Sequence, residues 1–118
     1  MSESAYDLFK EGQKRLRSGL AAQATVPLEK ARRLEPAKAS IREALGIAYF
    51  RLSRWRDAER EFRTIVEELS PTDHYAHYAL GRALEHLGKT SEANGHYKLA
   101  SSLRPHSKQY KARIKELD

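Results

Sequence analysis

The sequence has no cysteine, one methionine and one tryptophan among its 118 residues. The lack of cysteine excludes disulfides and thiolate metal sites and leaves the redox compartment open. Long apolar runs are also missing. No stretch approaches the roughly 20 apolar residues of a membrane span, so no membrane partner is expected. The opening residues, MSESAYDLFKEG, lack a basic segment followed by an apolar one. Without that secretory pattern the expected location is the cytoplasm. There is no phosphate loop, nucleophile elbow or zinc-protease motif. Function has to be argued from a site, and none of a catalytic kind is visible, so neither an enzyme nor a cofactor is expected.

Charge is plentiful. Charged residues make up 32% of the chain and hydrophobic ones 40%, which suits an elongated, high-surface fold. The net charge of +6 and pI near 9.7 permit nucleic acid or acidic protein partners. From Arg51 to Arg63 the arginines alternate with Asp57, Glu59 and Glu61, which reads as a solvated helical face. Towards the C-terminus Arg104, Lys108, Lys111, Arg113 and Lys115 are set against only Glu116 and Asp118.

The dominant feature is an internal period. Gly12, Gly46 and Gly81 are separated by 34 and 35 residues. Ala24, Ala58 and Ala93 keep the same separations, as do Leu28, Phe62 and Tyr97. Pro36, Pro71 and Pro105 are separated by 35 and 34. These series place one extra residue in the second copy, between Ile65 and Leu69. Each copy reads as two helices. The first helices cover roughly 4–18, 38–52 and 73–87, and the second roughly 22–34, 55–69 and 90–103. Gly19 and Gly88 stand where a helix ends in a left-handed residue, with Ser53 in that place in the second copy. The three prolines stop the second helices. Pro27 predicts a late start or a kink.

This pattern resembles the tetratricopeptide repeat (TPR) family, whose period is 34 residues. Leu45, Gly46, Tyr49, Ala58, Phe62 and Pro71 carry the resemblance in copy two; His77, Leu80, Gly81, Leu84, Ala93, Tyr97 and Pro105 carry it in copy three. Copy one is weaker, with Glu11 and Arg15 where Leu and Tyr stand in the family. The resemblance implies an all-α, right-handed superhelical solenoid forming a single domain over 1–118. Its three repeats cover about 5–38, 39–73 and 74–107, and a capping helix covers about 106–117, seven helices in all. Tyr110, Ile114 and Leu117 share one face of that cap. Gly46 and Gly81 are expected to let paired helices approach against Ala58 and Ala93. Trp55 is expected to pack at the mouth of a helical hairpin.

In this family the first helices line a concave groove that holds a peptide or protein segment. Carried over, the groove positions are Tyr6, Phe9, Gln13, Leu16 and Arg17 in copy one. They are Ser40, Glu43, Ile47, Phe50 and Arg51 in copy two, and Tyr75, Tyr78, Arg82, Glu85 and His86 in copy three. Aromatic and Arg side chains are the commonest binding anchors. The expected partner is therefore a protein or peptide with apolar and acidic side chains. Family members that grip chaperone C-termini use Lys, Asn and Arg where this chain has Phe9, Gln13, Ala44, Tyr75 and Ala79, so no such carboxylate clamp is expected.

Other readings are weaker. His74 and His77 lie three residues apart beside Asp73, yet a zinc site needs three or four ligands, and no metal is expected. Glu43 and Glu85 read as groove residues rather than as a catalytic pair. A basic nucleic-acid-binding accessory role, chiefly for RNA, is the alternative that charge permits. A third is homo-oligomeric assembly through the open ends of the solenoid, with a monomer or weak homodimer expected. The small size resembles stand-alone bacterial TPR proteins.

Overall fold

The computed structural model describes residues 3–116. Its helices are α1 (Ala5–Arg17), α2 (Ala21–Leu34), α3 (Ala39–Arg51), α4 (Trp55–Thr64), α5 (His74–His86), α6 (Thr90–Leu103) and α7 (Lys108–Arg113). Among the described residues these seven α-helices are accompanied by one π-helical turn, Ile65–Leu69, and no strand. Helices α1/α2, α3/α4 and α5/α6 form three antiparallel hairpins that stack in chain order into a solenoid of 57 × 24 × 22 Å.

Local chemistry starts and stops these helices. The Ser4, Asp73 and Ser107 side chains accept hydrogen bonds from the backbone N–H groups of Asp7, Ala76 and Tyr110 and so cap α1, α5 and α7. Each first helix ends in a left-handed residue: Gly19 (φ 77°), Ser53 (φ 59°) and Gly88 (φ 79°). The following N–H then reaches back to close the turn, as from Leu20 to the Arg15 carbonyl at 2.8 Å. The extra residue of the second copy becomes the π turn. One added residue in a helix is absorbed by widening a single turn, here closed from the Ser70 N–H to the Ile65 carbonyl at 2.7 Å.

Of the two expectations for Pro27, a late start or a kink, the late start is not met: α2 begins at Ala21 and runs through it. A proline removes the hydrogen bond to the carbonyl four residues earlier. That carbonyl, on Gln23, is approached instead by Arg15 Nη1 at 3.5 Å. The cap is also shorter than the expected 106–117. Helix α7 stops at Arg113 and Ile114 is extended. The side chain of Asn94 on α6 then pairs with both main-chain groups of Lys115, donating to its carbonyl at 2.9 Å and accepting from its N–H at 2.8 Å. Leu117, assigned to the same face, lies outside the described residues.

The core runs the length of the solenoid along the seams between helices. Ala24, Ala58 and Ala93 are fully buried. A Cβ on Gly12, Gly46 or Gly81 would fall 2.4–2.6 Å from the side chain of Leu28, Phe62 or Tyr97, respectively. Each glycine makes room for the large residue of the paired helix.

Glu61 does not belong to the solvated face expected of it. It is 0% exposed and binds the guanidinium of Arg32 on α2 and that of Arg42 on α3, the latter at 3.0 Å. By the repeat spacing, Leu8, Arg42 and His77 are equivalent, and so are Pro27, Glu61 and His96. The inside of each hairpin is thus closed by a different chemistry, apolar in the first, ionic in the second and imidazole in the third. Arg42 Nε donates to the Pro36 carbonyl at 2.8 Å, and His77 Nε2 to the equivalent Pro71 carbonyl at 2.7 Å.

Candidate functional site

Helices α3 and α5 stand side by side, and Phe62 of α4 lies between them at the base. Together they enclose an open cleft of about 220 Å³ lined by Ile47, Phe50, Arg51, Phe62, Tyr75, Tyr78, Ala79 and Arg82. The floor is apolar and two guanidinium groups stand on the rim. Arg51 Nη1 donates to the Leu16 carbonyl at 2.8 Å, which anchors it on the last turn of α1. Arg82 lies over the Phe50 ring, 5.3 Å from its centroid. Neither arginine has a carboxylate partner among the described residues, whereas Arg15, Arg32, Arg42, Arg54, Arg60 and Arg63 all do.

The structure therefore brings together six of the groove residues named from the sequence: Ile47, Phe50, Arg51, Tyr75, Tyr78 and Arg82. Phe62 and Ala79 complete the lining. Phe62 was legible only as a core residue, and the equivalence of Ala79 with Ala44 marked it only as a missing clamp position. The copy-one residues lie elsewhere. Tyr6 is 66% exposed with Lys10 above its ring, Phe9 packs on the core, Gln13 is half-buried and Arg17 is exposed. Leu16 is buried and Ser40 is exposed. Glu43 is half-buried, and burial followed by the charge of Asp73 raises its carboxyl above the usual value. Burial, then Glu43, raises the Tyr75 hydroxyl in turn.

Tyr78 is a wall of the cleft more than a free surface. It is 8% exposed, and its ring packs against Tyr97 and Tyr110. Its hydroxyl accepts from Gln109 at 3.2 Å and from Arg82 at 3.4 Å. Burial works to raise its pKa, but these donors together with Arg113 outweigh it and the net shift is downward. His86 stacks flat on Trp55, with ring centroids 3.8 Å apart and an interplanar angle of 7°, while Phe50 meets both edge-on. Trp55 thus joins two hairpins at their mouths. With Arg82, Glu85 and Arg113, His86 lines a second cavity of about 270 Å³.

The histidines read as a possible metal pair are engaged separately. His74 takes Arg104 Nη2 on Nε2 at 2.8 Å; since Arg only donates, the hydrogen is on His74 Nδ1, facing the Tyr110 hydroxyl at 2.7 Å. His77 donates from Nε2 to the Pro71 carbonyl, so its neutral ring presents a bare Nδ1, and His96 Nδ1 donates to it across 3.1 Å. His96 Nε2 is 4.0 Å from Glu92. Burial, then His77, holds His96 below its ordinary 6.5; Arg63 adds to this, and Glu92 and Glu67 oppose it.

Between the folded pKa of His96 and 6.5 the unfolded chain binds more protons at this site, so stability is complete above 6.5 and falls as pH drops below it. Urea unfolding at a series of pH values is expected to show this loss, with a slope for one proton of at most about 1.4 kcal/mol per pH unit. His96→Gln should flatten the slope. An unchanged slope in that variant would rule out His96 as its source.

No protein-family model and no curated protein matches the chain. Solved structures match its fold. The first TPR domain of Spaghetti (RPAP3), determined bound to the HSP90 peptide SRMEEVD, aligns with a TM-score of 0.89 at 24% identity, over 97% of this chain and 90% of that one. A crystal structure of MamA aligns with a TM-score of 0.90 at 24% identity, over 93% of this chain and 64% of that one. The second TPR domain of Spaghetti, bound to the same peptide, aligns with a TM-score of 0.82 at 20% identity, over 86% and 94%. Among the described residues no helix is long and apolar enough to cross a membrane. The fold is that of tetratricopeptide-repeat domains.

Proposed function

We propose that this chain, a solenoid of the tetratricopeptide-repeat fold, is a protein-interaction module. It holds a segment with apolar and acidic side chains on the face formed by α3 and α5. The observation that carries this is the cleft itself. Its apolar floor of Ile47, Phe62 and Ala79 is flanked by Arg51 and Arg82, arginines without carboxylate partners among the described residues. Its volume, about 220 Å³, lies below the range of small-molecule pockets, roughly 300–1,000 Å³, and suits a single inserted side chain. Two neighbours in fold bind an HSP90 peptide, which supports peptide capture as a use of this architecture.

Tyr78 is too buried for its removal to report on binding alone, so the test uses Ile47 and Arg82. Affinity capture from the source cell is expected to retain a specific protein on the wild type and to lose it on Ile47→Glu/Arg82→Glu, with helical circular dichroism unchanged. Equal retention by both would overturn the groove reading. The clamp positions, occupied here by Phe9, Gln13, Ala44, Tyr75 and Ala79, offer no cation for a terminal carboxylate. The peptide SRMEEVD is accordingly expected to bind no more tightly in calorimetry than the same peptide amidated at its C-terminus. A clear loss of affinity on amidation would show that terminal carboxylates are captured by other residues.

A further inference from the structure

We propose that the acidic side chain of the bound segment is held at the C-terminal end of the groove, in the cavity lined by Arg82, Glu85, His86 and Arg113. This rests on the groove reading and gives the acid a defined place. Arg82 lines both this cavity and the apolar cleft. The two are therefore neighbours, and one short segment spans them with an apolar residue in the cleft and an acidic one beside it.

The charge balance of the cavity favours an anion. Arg82 and Arg113 have no carboxylate partner among the described residues, and His86 adds an exposed imidazole. The one carboxylate present, Glu85, is already engaged by the Tyr97 hydroxyl through one oxygen and by Lys115 Nζ at 3.3 Å through the other. Burial works against the Glu85 carboxylate, but Tyr97, Lys115 and the charge of Arg113 outweigh it and hold its pKa below the usual value. The cavity thus offers two guanidinium groups that lean on the Tyr78 hydroxyl and form no ion pair among the described residues. Guanidinium forks match carboxylates in geometry as well as charge. Two guanidinium groups less the Glu85 carboxylate leave one positive charge in the lining apart from His86, which a single carboxylate balances.

Arg113 owes its position to α7. Tyr110 of that helix binds His74 at 2.7 Å, and Gln109 donates to the Tyr78 hydroxyl at 3.2 Å. The short basic cap is therefore a wall of the groove, and the one-sided charge of the C-terminal segment has a use.

The test is an NMR titration with capped hexapeptides that carry Phe with Glu one to three residues to either side. Matched peptides carry Gln for Glu or Ala for Phe. The best Phe/Glu peptide is expected to bind about tenfold more tightly than its Gln counterpart. Amide shifts at Ile47 and Tyr78 should move with both Phe peptides, and those at Arg82, His86 and Arg113 with the Glu peptide alone. In Arg113→Gln the preference for the Glu peptide should fall, and in Arg82→Gln/Arg113→Gln the Glu and Gln peptides should bind alike. Equal affinity of the two peptides for the wild type overturns the assignment while leaving the apolar cleft standing, and it needs no variant to fold. Tighter binding of a phosphoserine peptide than of the Glu peptide overturns the choice of a carboxylate. If no Phe peptide moves Ile47 or Tyr78, the groove reading fails and this proposal with it.

Discussion

Replacing Glu61 with alanine is expected to destabilise the protein by about 3–5 kcal/mol. The carboxylate is fully buried and holds Arg32 through one oxygen and Arg42 through the other. Its removal leaves two cations facing each other across a cavity inside the solenoid, with the Pro36 carbonyl still on Arg42 and the charge of Glu29 near Arg32 as weaker substitutes. The arginine side chains are 25% and 16% exposed, so water reaches them in part. That places the expected value near the lower end of the range. The effect also spreads beyond one hairpin, because Arg32 belongs to α2, Arg42 to α3 and Glu61 to α4. Unfolding of the first hairpin should therefore become less cooperative with that of the other two, seen as a broadened urea transition.

A buried ion cluster is weak evidence that charge itself is stabilising, since the desolvation of three ions offsets much of their attraction. The triple replacement Arg32→Met/Arg42→Leu/Glu61→Met is accordingly expected to be close to neutral. The pairing of a severe single variant with a mild triple one is the diagnostic outcome. A mild Glu61→Ala would mean that Arg32 and Arg42 relax into solvent at little cost, and that the carboxylate does not hold the first two hairpins together.

The repeat made the architecture legible because residues that must be small, large or helix-ending kept their type from copy to copy. Glycine at 12, 46 and 81 and proline at 36, 71 and 105 are of this kind. Even the irregular place was legible, since an odd residue between two anchored positions has to widen a helical turn. The closure inside each hairpin was not legible. Leu8 with Pro27, Arg42 with Glu61 and His77 with His96 occupy equivalent places but share no chemistry, so comparison of the copies hides their common role. Glu61 misleads because it sits in a run of alternating charge, and alternation along the sequence does not show which member of the run turns inward.

The groove was half legible for a related reason. The positions that face it were transferable, but a cleft needs walls from two neighbouring hairpins. Between α3 and α5 those walls include Tyr75 and Tyr78. Between α1 and α3 the equivalent places hold Ser40 and Glu43, which are too small or too polar to enclose an apolar space. Tyr6 is consequently left exposed. Arg113 had no sign in the repeat at all, because the pattern ends at Pro105 and only the fold of α7 carries the residue back to the groove.

Gly46→Ala is expected to destabilise the protein by about 2 kcal/mol, and Gly46→Leu by more, although helix propensity alone predicts a gain of roughly 0.5–1 kcal/mol for alanine. The added Cβ would lie 2.6 Å from Phe62 Cζ and 2.7 and 2.9 Å from two more ring carbons. These distances are inside van der Waals contact, and the neighbour is a rigid ring that is 1% exposed and packs on Tyr75. Either α3 and α4 separate or the ring leaves its rotamer, and both loosen the base of the cleft. Gly95 supplies the control, since it is also helical and a Cβ there meets nothing within 4 Å. Gly95→Ala should therefore stabilise by roughly 0.5–1 kcal/mol. The two identical substitutions have opposite expected signs in one protein, and the difference isolates the packing against Phe62. Placing Gly46→Ala in a Phe62→Leu background should recover part of its cost, with a coupling of about 0.5–3 kcal/mol. If Gly46→Ala stabilises as Gly95→Ala does, the close approach of α3 and α4 is not held by that contact, and the reason for the repeated glycine must be sought elsewhere.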